Sequence, residues 1–121
     1  MDDSIFYRCS LDLVIYTIGY EKEGESVIAL IKTDGIVTFS MVIDGYKNKK
    51  HNASFDILEN EKVVNLDFFC WSHPDKDHSL GIEEYIKLFT NKTTIIVGDG
   101  FSDTTDKWRK ANMIMYDYIT M

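Results

Sequence analysis

The stretch VVNLDFFCWSHPDKDHSLG, residues 63–81, joins a greasy run to a polar turn with two histidines and two aspartates within six positions. Val63 to Trp71 is almost continuously apolar, which is how a strand covered on both faces reads, as in the middle of a layered sheet. His73, Asp75, Asp77 and His78 then fall at that strand's C-terminal end, where open sheets place their chemistry. If the backbone stays extended there, His73, Asp75 and Asp77 project the same way. His78 turns in from the next position as the loop curls toward a helix. Pro74 disfavours helix at His73 and stiffens the loop, and Gly81 permits close backbone approach.

Upstream, Leu11 to Ile18 is rich in β-branched and aromatic residues and reads as a strand. The polar, glycine-flanked GYEKEGE (19–25) reads as a turn, and Ser26 to Lys32 as a second strand. Thr33-Asp34-Gly35 carries a hairpin signal, and Ile36 to Ile43 is the third strand, ended by Asp44-Gly45. YKNKKHN forms a basic loop, and Ser54 caps a short helix through about Glu61.

Downstream, Ile82, Tyr85, Ile86 and Phe89 have the spacing of a buried helix face. Thr93 to Val97 is another buried strand, closed by Gly98-Asp99-Gly100. A last helix starts near Ser102 or Asp103 and turns Trp108, Ala111, Met115 and Tyr118 inward. Strands first, then helix and strand in alternation, predict an α/β layered domain with a mixed sheet.

At 121 residues the chain is long enough for one domain with a real core, and 45% hydrophobic with 27% charged residues is ordinary globular composition. The net charge of −7 repels nucleic acid and anionic membrane. The KNKK run (47–50) is the only dense basic cluster and reads as a solvated loop tip rather than a phosphate clamp. No apolar run approaches the length of a membrane span. MDDSIFYRCS lacks a signal peptide's basic start and uninterrupted apolar core. Cys9 and Cys70, the two cysteines, lie in or beside apolar strand-like runs with no paired framework. They read as buried thiols in a reducing compartment, so the expected location is cytoplasmic.

Two imidazoles and two carboxylates form a mixed N/O set suited to zinc, manganese or iron(II). The bland reading stands beside it: Asp and Ser near a helix start are routine caps, and an exposed histidine needs no explanation. Taken singly, each of the four residues fits the bland reading better; taken together they leave a metal site and the bland reading evenly balanced.

HPDKDH followed by SLG resembles the HxHxDH signature of the metallo-β-lactamase-fold hydrolase superfamily. Asp75 stands in place of the middle histidine. This HxDxDH form is similar to the branch containing the hydrolase domain of the bacterial DNA-uptake channel. IGYEKEGESVIALI resembles that branch's strand-turn-strand entry, with Gly24-Glu25-Ser26 at its Gly-Asp-Ser/Ala step. VIDGY (42–46) resembles the family's IDGG strand end. The resemblance covers at least residues 11–100.

It implies one domain, residues 1–121, built as the N-terminal half of an αββα sandwich with helices on one face of the sheet. It further implies two divalent metal ions (zinc, manganese or iron). His73 and Asp75 would bind the first, Asp77 and His78 the second. Asp77 would also act catalytically, orienting the attacking water or taking its proton. Asp44 would sit behind the ligands and fix the loop by hydrogen bonds.

The chain departs from the family by having no histidine after position 78. Its third histidine, His51, lies in the basic loop. The expectation is therefore a metal-dependent hydrolase of a phosphodiester or other ester that is incomplete alone and is completed by a missing C-terminal half or by homo-oligomerisation. Nucleic acid as a substrate comes from the DNA-uptake branch and is not supported by the charge. The alternative is a non-catalytic, self-associating interaction module on a degenerate scaffold of the same kind. Both leave one sheet face as an apolar patch of the sort that marks an interface.

Overall fold

The computed structural model describes residues 8–19, 24–49, 51–73, 75–98 and 109–120; for residues 76, 77, 109–113 and 116 it describes the backbone alone. Five strands, β1 (Leu11–Gly19), β2 (Glu25–Thr33), β3 (Ile36–Ile43), β4 (Phe68–Trp71) and β5 (Thr94–Val97), form one sheet in sequence order. β1, β2 and β3 pair antiparallel, whereas β3–β4 and β4–β5 are parallel. Three helices join them: α1 (Ala53–Asn60), α2 (Lys76–Ser79) and α3 (Arg109–Thr120), with a 3-10 helix over Ile82–Leu88. The architecture is α/β, a mixed sheet with a few short helices, as the order of elements predicts.

The β2–β3 hairpin forms where the Asp-Gly step places it. Asp34 and Gly35 both take left-handed backbone, φ 52° and 82°, the signature of the tight turn whose twist matches its strands. Strand parity then divides the sheet into two faces. Ile28, Leu30, Val42, Phe69 and Trp71 point to one face and meet Leu58 of α1, Ile82 and Tyr85 of the 3-10 helix and Met115 of α3 in one core. All the helices that contribute to this core lie on that face. Among the described residues, no helix residue packs on the other.

Several expectations need correction. Val63 to Asp67, the first part of the run, is not strand. Lys62 turns left-handed at φ 59°, and the Asp67 carboxylate accepts from Ser40 N at 2.9 Å, holding this segment as a connector. β4 is therefore four residues long, and it lies fourth in the sheet rather than in the middle. It is buried on one side only, at Phe69 and Trp71. β5 is an edge strand with Ile96 exposed.

The cap of α1 is Asn52, whose side-chain oxygen accepts from Phe55 N. Ser54 is instead buried in the first turn, with its hydroxyl accepting from Tyr46 N. The segment after Gly81 is a 3-10 helix rather than an α-helix. Cys9 is exposed and Cys70 half-buried, so the expectation of two buried thiols fails. Met115 and Tyr118 of α3 do turn inward, Met115 into the core and Tyr118 onto the Phe89 ring. The expected start of that helix and Trp108 lie outside the described residues, as do the Ala111 side chain and Asp99.

No helix among the described residues is long and apolar enough to cross a membrane.

Candidate functional site: the carboxyl ends of β3 and β4

Two parallel neighbours, β3 and β4, run in register with Ile43 opposite Cys70. The residues that follow each strand therefore emerge side by side. From β3 comes Asp44, from β4 Ser72 and His73. Asp44 is buried at 3% exposure, with left-handed backbone at φ 57°. A non-glycine residue holds that conformation only where its surroundings over-determine it. Here the determinants are explicit. Asp44 N donates to Cys70 O at 2.9 Å. Asp44 O accepts from Ser26 Oγ and from Tyr85 OH, each at 3.1 Å. Burial pushes the Tyr85 hydroxyl far above its ordinary pKa, so it stays a donor.

This clamp aims the Asp44 carboxylate at the turn after β4. Oδ1 accepts from Ser72 N at 2.7 Å. Oδ2 accepts from Ser72 Oγ and lies 2.8 Å from His78 Nδ1. A carboxylate can only accept, so Nδ1 carries a proton, and in the neutral ring Nε2 holds the lone pair. The His73 ring lies beside His78, with centroids 5.0 Å apart. Glu25 Oε1, at the start of β2, is 3.5 Å from His78 Nδ1 and largely exposed. An open cleft of about 400 Å³ runs from Asp44 and Glu25 along Ser26 and Gly24 to Gly19 and Thr17.

The turn itself is built by short-range contacts. Trp71 Nε1 donates to the buried Ser79 Oγ at 2.9 Å, and that hydroxyl reaches His73 O at 3.4 Å. Gly45 N donates to His78 O at 3.1 Å, tying the turn to the end of β3. A Cβ on Gly45 would stand 2.5 Å from Leu80 O and 2.8 Å from the Ile82 side chain, so only glycine lets the two segments approach this closely.

The extended backbone expected through His73, Asp75 and Asp77 does not form. Asp75 is the extended N-cap of α2, and Lys76 to Ser79 already coil. The alternate-position argument for three side chains on one side therefore fails. Asp75 is exposed and makes no side-chain cap bond, so the routine capping role does not account for it either. The Asp77 side chain lies outside the described residues. Of the five residues singled out from the sequence, the structure brings His73, His78 and Asp44 together. Among the described residues, no group of three or more His, Cys, Asp or Glu side chains is poised to hold a metal ion. His51 is exposed in its loop, 3.9 Å from Asp56, and plays no part here.

Ser72, Ser26 and Tyr85 also belong to the site, and sequence reasoning passed over all three as functional residues. Ser26 appears there only in the Gly24-Glu25-Ser26 step and Tyr85 only as a buried helix position; for Ser72 the signal is position alone. Ser72 directly follows β4 as Asp44 follows β3, which becomes informative only once the two strands are known to be parallel neighbours.

No protein-family model matches the chain, and no curated protein matches it.

Proposed function

We propose that the chain carries the metal-binding part of a metal-dependent hydrolase of the metallo-β-lactamase kind, acting on a phosphodiester or another ester. The observation that carries this reading is the contact between the Asp44 carboxylate and His78 Nδ1. A carboxylate behind an imidazole fixes its tautomer, orients the ring and raises the basicity of the other nitrogen, the usual arrangement behind a metal-ligating histidine. His73, adjacent at the same strand end, fits beside it as a ligand. His73 and Asp75 would hold one divalent cation, and Asp77 with His78 a second, of zinc, manganese or iron type. Such ions polarise the bond to be broken and lower the pKa of water.

The chain's own residues have separable tasks. Asp44 holds the His78 proton on Nδ1. Ser72 donates two bonds to Asp44 and fixes the carboxylate's orientation. Asp77 would orient the attacking water or take its proton. The cleft lined by Glu25 and Asp44 borders the Asp44–His78 contact. Groups supplied by a partner would complete the coordination.

The test is a metal titration followed by melting. After removal of adventitious metal, Zn²⁺ or Mn²⁺ should bind stoichiometrically and raise the Tm. A ligand at 100 times its Kd stabilises by about 2.7 kcal/mol. His78→Ala and Asp77→Ala should abolish the rise. A native chain that takes up neither ion at stoichiometric levels contradicts the proposal.

A further inference from the structure

β1 ends the sheet, and its nine residues pair with β2 without a register shift. Asp34 N donates to Ser10 O at 2.8 Å, one step beyond Leu11 opposite Thr33. Antiparallel pairs that exchange backbone bonds alternate with pairs that do not. Asp12, Val14, Tyr16 and Ile18 therefore turn their backbone groups to β2. Leu11, Leu13, Ile15 and Thr17 turn theirs away from the sheet, where no strand among the described residues meets them. Proteins blunt such an edge with proline, lysine, a bulge or a very short strand. β1 uses none of these, and its one charge, Asp12, stands near its start. Leu11, Leu13 and Ile15 are 65%, 67% and 58% exposed along this edge.

We infer that β1 pairs antiparallel with β1 of a second copy of the chain. The two-fold axis passes through Val14 normal to the sheet, so the two sheets become one.

Backbone phase and side chains both select this register. Outward backbone groups must meet outward groups, so the axis passes through a residue rather than between two. Centred on Val14, Leu13 faces Ile15 of the other copy and Leu11 faces Thr17, each contact occurring twice as an isologous interface requires. Asp12 faces Tyr16, whose ring has a polar tip. Centred one residue either way, Asp12 would face apolar Val14 or Ile18. The outward residues exchange about eight backbone hydrogen bonds, within the number usual at a specific interface. The ends match in charge. Arg8 stands exposed just before β1, and Glu25 opens β2 beside Gly19 at the end of β1. Antiparallel pairing therefore sets a basic start near an acidic end at both ends of the seam.

Pairing of like edges also closes. The opposite edge, β5, is four residues long and matches less than half of β1. A β1-to-β5 contact would also propagate into a filament instead of stopping at two chains. A strand added in the plane of the sheet covers neither face, so the cleft along Thr17 and Glu25 stays open.

Sedimentation equilibrium of the full chain tests the association. The native protein should have twice the mass of one chain. Leu13→Lys/Ile15→Lys sets lysines opposite each other across the seam and leaves every core residue in place. It should be a monomer with an unchanged far-ultraviolet circular dichroism spectrum. The register is read separately in a Cys9→Ser/Cys70→Ala background, so that folding of the lysine variant is not the only support. On mild oxidation, a mixture of Leu13→Cys and Ile15→Cys chains should form a disulfide-linked dimer. Either variant alone should give about an order of magnitude less, because like residues stand about 8 Å apart across this axis, beyond disulfide reach. A native chain that stays monomeric up to its solubility limit overturns the inference, whatever else lies along the edge. So does a dimer in which the mixed disulfide does not exceed the like pairs, the result expected of two sheets stacked face to face about 10 Å apart.

Discussion

Asp44 shows how one residue can be held in an unfavourable backbone conformation for the sake of its side chain. Left-handed backbone costs an ordinary residue about 1–2 kcal/mol, and Asp and Asn tolerate it best. Ser26, Tyr85 and the Cys70 carbonyl offset that cost and leave the carboxylate free to receive Ser72 and His78. Two substitutions separate the roles. Asp44→Asn keeps the backbone preference but removes the charge behind His78. It should lower zinc affinity about 10–100-fold with little loss of Tm. Asp44→Ala gives up the backbone tolerance as well and should cost roughly 1–3 kcal/mol of stability by denaturant melt. The sequence marks Asp44 as a strand-ending Asp-Gly and, through its resemblance, as a residue behind the metal ligands. It does not mark Ser72, because a serine after a strand is common and its partner lies 28 positions away.

At the scale of elements, local chemistry was legible where it stood alone and illegible where tertiary contacts chose among equals. The β2–β3 turn needed only Asp-Gly. At the start of α1 the sequence reading places the cap at Ser54 and passes over Asn52, a residue of equal capping propensity. Asn52 wins because its amide also donates to Gly81 O at 2.9 Å and Glu84 Oε2 at 2.7 Å, joining α1 to the 3-10 helix. Asn52→Ala should therefore cost more than the ~1 kcal/mol of a lost cap, whereas Asn52→Ser should recover the cap alone; urea melts read the difference.

A second link ties α1 to the sheet. The Glu61 carboxylate takes Lys32 Nζ at 2.8 Å and the Tyr16 hydroxyl at 2.7 Å. These two contacts, Lys32 first, hold the Glu61 pKa below its ordinary value. A depressed carboxylate pKa means the folded state binds the proton less readily than the unfolded one. The contribution is thus present above the ordinary glutamate value of about 4.3 and disappears as pH falls through the lower folded value. Glu61→Gln should melt below the native chain at pH 7, and the gap should close with acidification through that window. A gap that persists below the folded pKa would assign the loss to packing instead. The apolar run before β4 misled for the opposite reason. Val63 to Asp67 has strand composition, but Lys62 and Asp67 bind it as a connector, and periodicity alone cannot see a hydrogen bond to Ser40.

For the whole molecule, the order of strands and helices was enough to predict a layered α/β domain, because parallel neighbours require crossovers and the chain supplies apolar helices to make them. Two consequences follow from that topology. It brings the ends of β3 and β4 together, so Asp44 meets His78 across 34 positions. It also puts the helices that build the core on one side, leaving Leu13, Ile15 and Ile31 outward on the other. The condition for His73, Asp75 and Asp77 to share one side, an extended backbone, is not met because α2 begins at Lys76 and replaces the two-residue alternation with a helical turn.

The central claim is that the Asp44 contact prepares His78 to bind a cation through Nε2. A long-range proton–nitrogen correlation spectrum of the imidazoles, recorded on metal-free protein and again with one to two equivalents of Zn²⁺, tests it directly. The account predicts a proton on Nδ1 of His78 before zinc, and a large shift of the Nε2 resonance with Nδ1 still protonated after it. A proton on Nε2 in the metal-free protein, together with an Nε2 resonance that ignores zinc, would contradict it.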